Sequence, residues 1–330
     1  MTADSNDFNE ITECVKRGER FVLVTHSDPD ADGLCSMVAL GRALEAGHKD
    51  VEMIVGEALH GPLAALNGAE KVATCLENGH HDAVLVLDCS DFFRMSPQLE
   101  IAGCSLINID HHRSNDFFGD LNYVDPDASS TAELVWRLIR ALGLPVDKEV
   151  AGCLFAGVQS DTGSFIFRNT TSQSLNFAAE MVQLGAIPWE SWRLIHASYG
   201  VERLHLLRYA LETFELHESG KIAMVTVTGE MLEKSGAAQH DCEQIVEFPR
   251  NVVGVEIAAM MRQAGSRLFR FSLRSNGEAD VAEVAGRFGG GGHKGAAGFE
   301  MEGEPEILKH MLIQAAADSL KRNASPVEPQ

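Results

Sequence analysis

Apolar residues in the first half of the chain occur both in short continuous runs and in longer runs with helical spacing. Mainly apolar runs, typical of strands buried in a parallel sheet, cover residues 21–25, 51–55, 83–87 and 105–109. Helical spacing predicts helices over residues 7–18, 33–46, 131–142, 148–159 and 172–184. Ser130 and Glu133 fit a capping box at the start of one of these helices. Strands alternating with helices predict an α/β domain with a parallel sheet.

The pattern changes in the second half of the chain. Residues 188–217 have helical spacing throughout and are expected to form a helical linker between two domains. Strands are predicted over residues 222–227, 252–261 and 267–274, and helices over residues 281–288 and 305–320. We therefore expect a catalytic domain over 1–187, a linker over 188–217, a smaller α/β domain over 218–322 and a disordered tail over 323–330.

Composition and charge exclude several classes of protein. A chain of 330 residues is longer than one typical core, so two domains are expected. The net charge of −21 disfavours long contacts with nucleic acid, and no apolar run is long enough to span a bilayer. The polar, acidic residues 1–13 predict neither a signal peptide nor a transit peptide. Seven cysteines without a C-x-x-C pair indicate a reducing, cytoplasmic location.

Acids and histidines follow three of the predicted strands and one predicted helix. Because ligands of α/β sheets bind at the carboxyl ends of the strands, we expect these side chains to share one crevice. The candidate metal ligands are His26, Asp30, Asp32, Asp88, His111 and Asp161. Any one of these acids could instead be a helix N-cap, but four acids and two histidines in one crevice favour a metal site.

Four carboxylates and two imidazoles are sufficient for two divalent cations if one carboxylate bridges them. Asp88 follows a central strand and is the natural bridge. The mixture of oxygen and nitrogen ligands favours manganese, with magnesium or cobalt as alternatives. Two such cations would bring the cluster close to neutrality and allow a phosphate to bind.

A second candidate site is the glycine run at residues 289–292, followed by His293. Residues 290–295 match G-x-G-x-x-G, but the run follows a helix, which argues against a dinucleotide-binding fold. We expect a backbone nest whose N–H groups, together with His293, approach a phosphate. Residues 250–294 carry a net charge of +3, whereas the rest of the chain carries −24, and this contrast supports an anion site.

These motifs resemble those of a known family. The first half is similar to the DHH superfamily of phosphoesterases in four motifs: His-x-x-x-Asp-x-Asp at 26–32, an aspartate at 88, Asp-His-His at 110–112 and Ser-Asp-Thr-Gly at 160–163. The glycine-rich residues 290–298 resemble the DHH-associated C-terminal domain. The resemblance implies a parallel-sheet DHH domain with flanking helices, a smaller C-terminal α/β domain and an active site in the cleft between them. The size and layout are similar to those of the nanoRNases.

The resemblance also implies roles for individual residues. One cation would be held by His26, Asp30 and Asp88, and the other by Asp32, Asp88, His111 and Asp161. His112 would contact the scissile phosphate, and Asp110 would orient the histidines. The rest of the substrate would be bound by Arg274, Gly291, Gly292 and His293, with Arg262 as a weaker candidate.

The implied activity is hydrolysis of very short oligoribonucleotides to mononucleotides. Conversion of 3′-phosphoadenosine 5′-phosphate (pAp) to AMP would be a second reaction. Hydrolysis of linear or cyclic dinucleotides, or of pyrophosphate or polyphosphate, is the alternative within the superfamily. An inactive nucleotide-binding scaffold is the alternative without catalysis. The sequence leaves the oligomeric state open, and a homodimer is one option.

Overall fold

The computed structural model describes residues 7–76, 79–97, 103–196, 200–277 and 279–323, so the predicted tail lies almost entirely outside the described residues. The chain divides into two compact units, Met1–Ser198 and Tyr199–Gln330. Within the described ranges, no helix combines the length and the apolar character needed to cross a membrane.

The first unit is an α/β domain. Its described helices are α1 (Phe8–Arg17), α2 (Ala31–Ala46), α3 (Thr131–Leu142), α4 (Lys148–Asp161), α5 (Ser172–Gln183) and α6 (Pro188–His196). Its described strands are β1 (Arg20–His26), β2 (Asp50–Ile54), β3 (Val72–Ala73), β4 (Ala83–Leu87), β5 (Met95–Ser96), β6 (Ser105–Asp110) and β7 (Leu121–Val124). The helices and strands predicted for this half of the chain, up to residue 184, are confirmed, with ends that differ by no more than two residues.

The strands of this unit form a sheet in the order β3-β2-β1-β4-β6-β7, all parallel, with β5 antiparallel to β1. Alternation along β1 directs Phe21 and Leu23 into the main core beneath the helices. Val22 and Val24 belong to a smaller cluster on the opposite face. The strand order reverses between β1 and β4, and such a switch point is where α/β sheets bind ligands.

The second unit is a smaller α/β domain with a mixed sheet. Its described helices are α7 (Val201–Glu212), α8 (Gly229–Ser235), α9 (Glu247–Arg250), α10 (Val281–Gly286) and α11 (Pro305–Asn323). Its described strands are β8 (Glu215–His217), β9 (Ile222–Val227), β10 (Ile257–Gln263), β11 (Leu268–Ser275), β12 (Gly291–His293) and β13 (Ala296–Glu302). The sheet order is β12-β13-β11-β10-β9-β8, and only the β9–β10 pair is parallel among these described strands.

The second half of the chain corrects three expectations. Residues 188–217 do not form one helical linker, because they contain α6, α7 and the strand β8. The predicted strand over 252–261 begins only at Ile257, after a turn. The glycine run follows the helix α10 as expected, but its last two glycines belong to the edge strand β12, Gly291–His293.

Candidate metal centre and substrate-binding face

Three candidate residues lie at the carboxyl ends of the central strands. His26 is the last residue of β1, Asp88 directly follows β4, and Asp110 is the last residue of β6. All three side chains are buried. β1 and β4 flank the switch point of the sheet, so the topology alone brings His26 and Asp88 together. Their side chains meet with His26 Nε2 3.7 Å from Asp88 Oδ2.

The loop between β1 and α2 is fixed by its own capping interactions. Asp30 is the N-cap of α2, and its carboxylate accepts a hydrogen bond from the Gly33 N–H group at 3.0 Å. Gly33 packs against the site so closely that a Cβ atom there would lie 2.5 Å from Thr25 Oγ1 and 3.2 Å from Asp88 Oδ2. A residue with a side chain at position 33 would therefore push into the candidate ligands.

Asp32 lies in the first turn of α2 and is completely buried. Its carboxylate accepts hydrogen bonds from the N–H groups of Thr131 at 2.7 Å and Ala132 at 3.1 Å. Ser130 is the N-cap residue as predicted, but the predicted capping box is wrong, because Asp32 caps α3. Ser130 makes no side-chain cap, and Ser129 instead donates to Glu133 at 2.5 Å.

Asp161 completes the cluster, but it lies at the end of helix α4 and not at the end of a strand. Asp161 Oδ2 is 3.1 Å from His111 Nε2, and this nitrogen is also 3.6 Å from Asp88 Oδ1. Helix α4 can approach because Gly157 faces Asp32, where a Cβ atom would lie 2.7 Å from Asp32 Oδ1. Gly157 was not identified from the sequence, although glycine inside a helix is a recognisable signal of close packing.

The donor atoms form three groups in which all atoms lie within 4.8 Å of one another. The groups are His26, Asp30 and Asp88; Asp32, His111 and Asp161; and Asp88, His111 and His112. Each group combines carboxylate oxygen with imidazole nitrogen, a donor set that suits divalent transition metals. In the described part of the chain, no Lys or Arg pairs with the carboxylates of these groups within 4.0 Å. The residues present therefore fit two divalent cations, with Asp88 next to both.

The charges of the cluster shift the pKa values of its members. Burial raises the pKa of Asp32 well above its usual range, and the negative charges of Asp88 and Asp161 raise it further. Burial disfavours the charged form of His111, but Asp161 and Asp88 outweigh burial and raise the pKa of His111 well above its usual value. Burial also acts against the ionised form of Asp88, yet His26 and His111 hold the pKa of Asp88 below its usual range. The negative charges of these carboxylates are therefore not fully balanced by the positive charges of the protein groups around them.

His112 is oriented by a buried hydrogen-bond network. Asp110 Oδ1 lies 2.6 Å from His112 Nδ1 and accepts a hydrogen bond from the His111 N–H group at 2.8 Å. Asn115 Nδ2 donates to Asp110 Oδ2 at 2.6 Å and to Asn108 Oδ1 at 2.8 Å. The network fixes both the Asp110 carboxylate and the His112 ring. Asn108 and Asn115 were not identified from the sequence, although a buried asparagine within an apolar strand is itself a signal.

The second unit presents a row of candidate substrate-binding residues. The register places Arg274 on β11 opposite Ala296 on β13, and Ala296 opposite His293 on β12. Residues directly opposite each other in antiparallel strands share a face of the sheet. Arg274 and His293 therefore lie on one face, about 10 Å apart at the backbone, with the small Ala296 between them. Arg262 lies four residues from Ala258, the β10 residue in this row, or about 13 Å along that strand.

The glycine run forms a tightly packed hairpin and not the expected backbone nest. A Cβ atom on Gly290 would lie 2.2 Å from the Gly298 carbonyl oxygen, and one on Gly292 would lie 2.5 Å from the Ala296 carbonyl oxygen. Gly292 also has a φ of 142°, a backbone conformation that favours glycine. Gly291 is different, because it is exposed and a Cβ atom there would have no neighbour within 4 Å. Packing therefore does not require glycine at position 291.

Ion pairs in the folded second unit offset much of the positive charge of residues 250–294. Within the described residues, Arg250, Arg267, Arg270, Arg274 and Arg287 each pair with an acidic residue outside the range 250–294. The pairs are Arg250–Glu247, Arg267–Glu304, Arg270–Glu300, Arg274–Glu247 and Arg287–Asp318. Arg262 donates to the Gln239 carbonyl oxygen at 2.7 Å. These arginines are therefore held in place by neighbouring groups of the same unit.

Comparisons with known proteins agree with the motifs. Residues 20–158 match the DHH family, N-terminal domain, and residues 220–321 match the DHHA1 domain. The bifunctional oligoribonuclease and PAP phosphatase NrnA of Thermus thermophilus is 33% identical over 91% of this chain and 90% of its own length. The protein of the same name from Bacillus subtilis is 27% identical over 88% of this chain and 91% of its own length.

Among solved structures, the exopolyphosphatase-related protein from Bacteroides fragilis matches 98% of this chain and 100% of its own with a TM-score of 0.90 and 26% identity. A relative that is 33% identical over nine-tenths of both chains is sufficient to establish the family. The two matched domains follow one another in the order that the motifs predicted. This chain belongs to the DHH family and consists of a DHH domain followed by a DHHA1 domain.

Proposed function

We propose that this protein hydrolyses very short oligoribonucleotides to mononucleotides, with pAp as a second substrate that it converts to AMP. The single observation that carries the proposal is the cluster of carboxylates and imidazoles around Asp88, in a chain that is 33% identical to an oligoribonuclease and PAP phosphatase. Two divalent cations, with manganese preferred, are the proposed cofactors. Bound in such a site, they would neutralise the scissile phosphate and lower the pKa of a coordinated water.

We propose that the two groups of ligands divide the cations between them. His26, Asp30 and Asp88 would hold one cation, since their donor atoms lie within 4.8 Å of one another. Asp32, His111 and Asp161 would hold the other, and Asp88 would bridge the two because its Oδ1 lies 3.6 Å from His111 Nε2.

His112 is the proposed contact to the scissile phosphate. Its Nδ1 atom is occupied by Asp110 at 2.6 Å, which directs the opposite edge of the ring away from that carboxylate. Burial lowers the pKa of His112, but Asp110 and Asp88 outweigh burial and raise it, so the charged imidazole that attracts a phosphate is favoured. Asp110 would therefore act by holding the ring and by stabilising its charge.

The row of Arg274, Ala296 and His293 is the proposed binding face for the rest of the substrate. Arg274 is held by Glu247 at 2.8 Å, and a guanidinium in a fixed orientation is suited to a phosphate or a base edge. The small side chain of Ala296 and the exposed Gly291 leave room for a sugar or a base beside Arg274. Such a face favours a nucleotide over pyrophosphate, which has neither.

A substrate panel tests the reaction. Purified protein with manganese is offered labelled RNA of two to ten nucleotides, pAp, linear and cyclic di-AMP, and pyrophosphate. We expect the shortest RNAs to be cleaved fastest and pAp to be dephosphorylated. Faster cleavage of a dinucleotide second messenger or of pyrophosphate would assign the protein to another activity of the superfamily, and no cleavage of any substrate would support a scaffold.

Substitution of Asp88 tests the metal centre. Asp88→Asn removes the carboxylate that lies next to both groups, so we expect loss of activity and of the rise in melting temperature on adding manganese. At 100 times the dissociation constant, a bound cation stabilises the wild type by about 2.7 kcal/mol. Asp28→Asn is the matched control, because Asp28 is exposed in the same loop as Asp30. Activity that survives in Asp88→Asn would contradict the two-cation proposal.

A further inference from the structure

The N-terminus of α3 lies directly on the two central carboxylates of the candidate metal centre. The Thr131 N–H group donates to Asp32 Oδ2 at 2.7 Å, and the Thr131 hydroxyl donates to Asp88 Oδ1 at 2.9 Å. Thr131 and Asp32 are completely buried, and Asp88 is 2% exposed. One residue of α3 thus contacts a carboxylate from each group of candidate ligands.

The Asp88 carboxylate accepts a hydrogen bond from the hydroxyl of Thr131. Among the residues that the structure describes, this hydroxyl is the donor that lies nearest to the carboxylate, at 2.9 Å. The nearest atoms of His26, His111 and His112 are 3.6–3.7 Å away. Asp88 has a φ of 57°, so its backbone is also in an uncommon conformation for a residue with a side chain. The side chain therefore depends on Thr131 for its orientation.

The neighbouring hydroxyl of Ser130 shows that burial alone does not explain these contacts. Ser130 is as buried as Thr131, but its Oγ atom has no hydrogen-bond partner among the described residues. The side chain at the N-cap position would normally cap the helix, yet Asp32 takes that role from 100 residues away in the sequence. The N–H groups and the Thr131 hydroxyl at the start of α3 therefore bind Asp32 and Asp88, which are candidate metal ligands.

We propose that Thr131 is a positioning residue of the metal centre, which sets the orientation of Asp88 through its hydroxyl and of Asp32 through its N–H group. This inference rests on the proposed two-cation site. Two carboxylates that repel each other must be held in place before cations bind. Neutral donors can hold them without adding a positive charge that would compete with the metal ions for the carboxylates. Partners of this kind typically contribute 10- to 100-fold to metal affinity.

The test compares three variants of the full chain. Thr131→Val keeps the shape of the side chain and removes the hydroxyl, Thr131→Ser restores a hydroxyl, and Ser130→Ala removes the adjacent hydroxyl that has no described partner. Manganese affinity and stoichiometry are measured by calorimetry, and the magnetic coupling between two bound ions is measured by electron paramagnetic resonance. Melting temperatures in chelator report stability without metal.

We expect Thr131→Val to bind manganese about 10- to 100-fold more weakly than the wild type and to lose part of the coupled signal. Thr131→Ser should regain most of the affinity, and Ser130→Ala should match the wild type. Wild-type affinity and coupling in Thr131→Val would overturn the proposal, as would equal losses in the valine and serine variants. Should Thr131→Val fail to fold, Thr131→Ala provides the same comparison with serine.

The outcome for the wild type separates this inference from the proposed function. Two manganese ions bound by the wild type, with unchanged binding in Thr131→Val, would overturn the role of Thr131 and leave the metal centre in place. A wild type that binds no divalent cation would contradict the proposed function, and the role of Thr131 with it.

Discussion

Gly157 faces Asp32 across the packed helices α4 and α2, and a Cβ atom on Gly157 would lie 2.7 Å from Asp32 Oδ1. It would also lie 2.8 Å from the Cβ atom of Ala132. The close approach of these helices therefore contributes to the candidate metal centre. The Asp32 carboxylate can keep its hydrogen bonds to the N-terminus of α3 only if α4 has no side chain at position 157.

Gly157→Ala should displace Asp32 and weaken metal binding. We expect a loss of about 1–3 kcal/mol in stability from overpacking and a weaker response of the melting temperature to manganese. Gly152→Ala is the matched control, since Gly152 lies in the same helix and a Cβ atom there meets nothing within 4 Å. That control should be neutral or gain up to about 1 kcal/mol. Unchanged manganese affinity in Gly157→Ala would show that the close approach is dispensable.

Gly291 and Gly292 should respond differently to the same substitution. Gly292→Ala forces a side chain into a backbone with a φ of 142° and should cost about 1–3 kcal/mol in the free energy of unfolding. Gly291→Ala should leave the stability nearly unchanged but raise KM for short RNA on the order of tenfold, because the substrate loses close access to the backbone. Urea denaturation and steady-state kinetics separate the two effects. A Gly291→Ala enzyme with wild-type KM would remove Gly291 from the binding face.

Asp110→Asn should reduce turnover more than metal binding. Asp110 contacts His112 and His111 but belongs to none of the three groups of donor atoms, so we expect kcat to fall about 10- to 100-fold with little change in manganese affinity. Asp116→Asn serves as the control, because Asp116 is exposed and nearby in the sequence. An equal loss of kcat and of metal affinity would instead make Asp110 part of the metal site.

Asp82 should make the free energy of unfolding of the first unit decrease as the pH falls into the acid range. The N–H groups of Glu19 and Arg20 donate to its carboxylate at 2.6 and 3.0 Å, and these bonds lower the pKa of Asp82. A lowered pKa in the folded state contributes stability above the unfolded value of about 3.9, and this contribution disappears as the pH falls through the lower folded value. Because two N–H groups lose their acceptor, Asp82→Ala should cost up to about 1 kcal/mol at pH 7, reduced by solvent screening of this partly exposed carboxylate.

The measurement for Asp82 is the difference in unfolding free energy between variant and wild type at several pH values. This difference should shrink steadily below about pH 4, where the unfolded carboxyl takes up a proton. Asp28→Ala provides the control for simple loss of a negative charge. A difference that stays constant down to pH 2 would mean that the carboxylate form is not what stabilises the strand end.

The class of fold, the main strands and helices up to residue 184 and the chemical types in the site could be predicted from the sequence. Continuous apolar runs that end in acids and histidines predicted a parallel sheet, and the structure has His26, Asp88 and Asp110 at the strand ends. This works because strand length and helical periodicity are local properties, and because the ligands of α/β sheets gather at one edge.

The contacts that support those residues depend on the packing of distant segments. Asp32 caps a helix that begins 99 residues later, so no local pattern could replace the capping box of Ser130 and Glu133. The glycine run predicted a nest, but pairing with β13 made it a strand, since an edge strand is defined by its partner. Hydrogen bonds and steric limits between distant segments depend on the packed fold, whereas the local pattern can specify only which side chains are available.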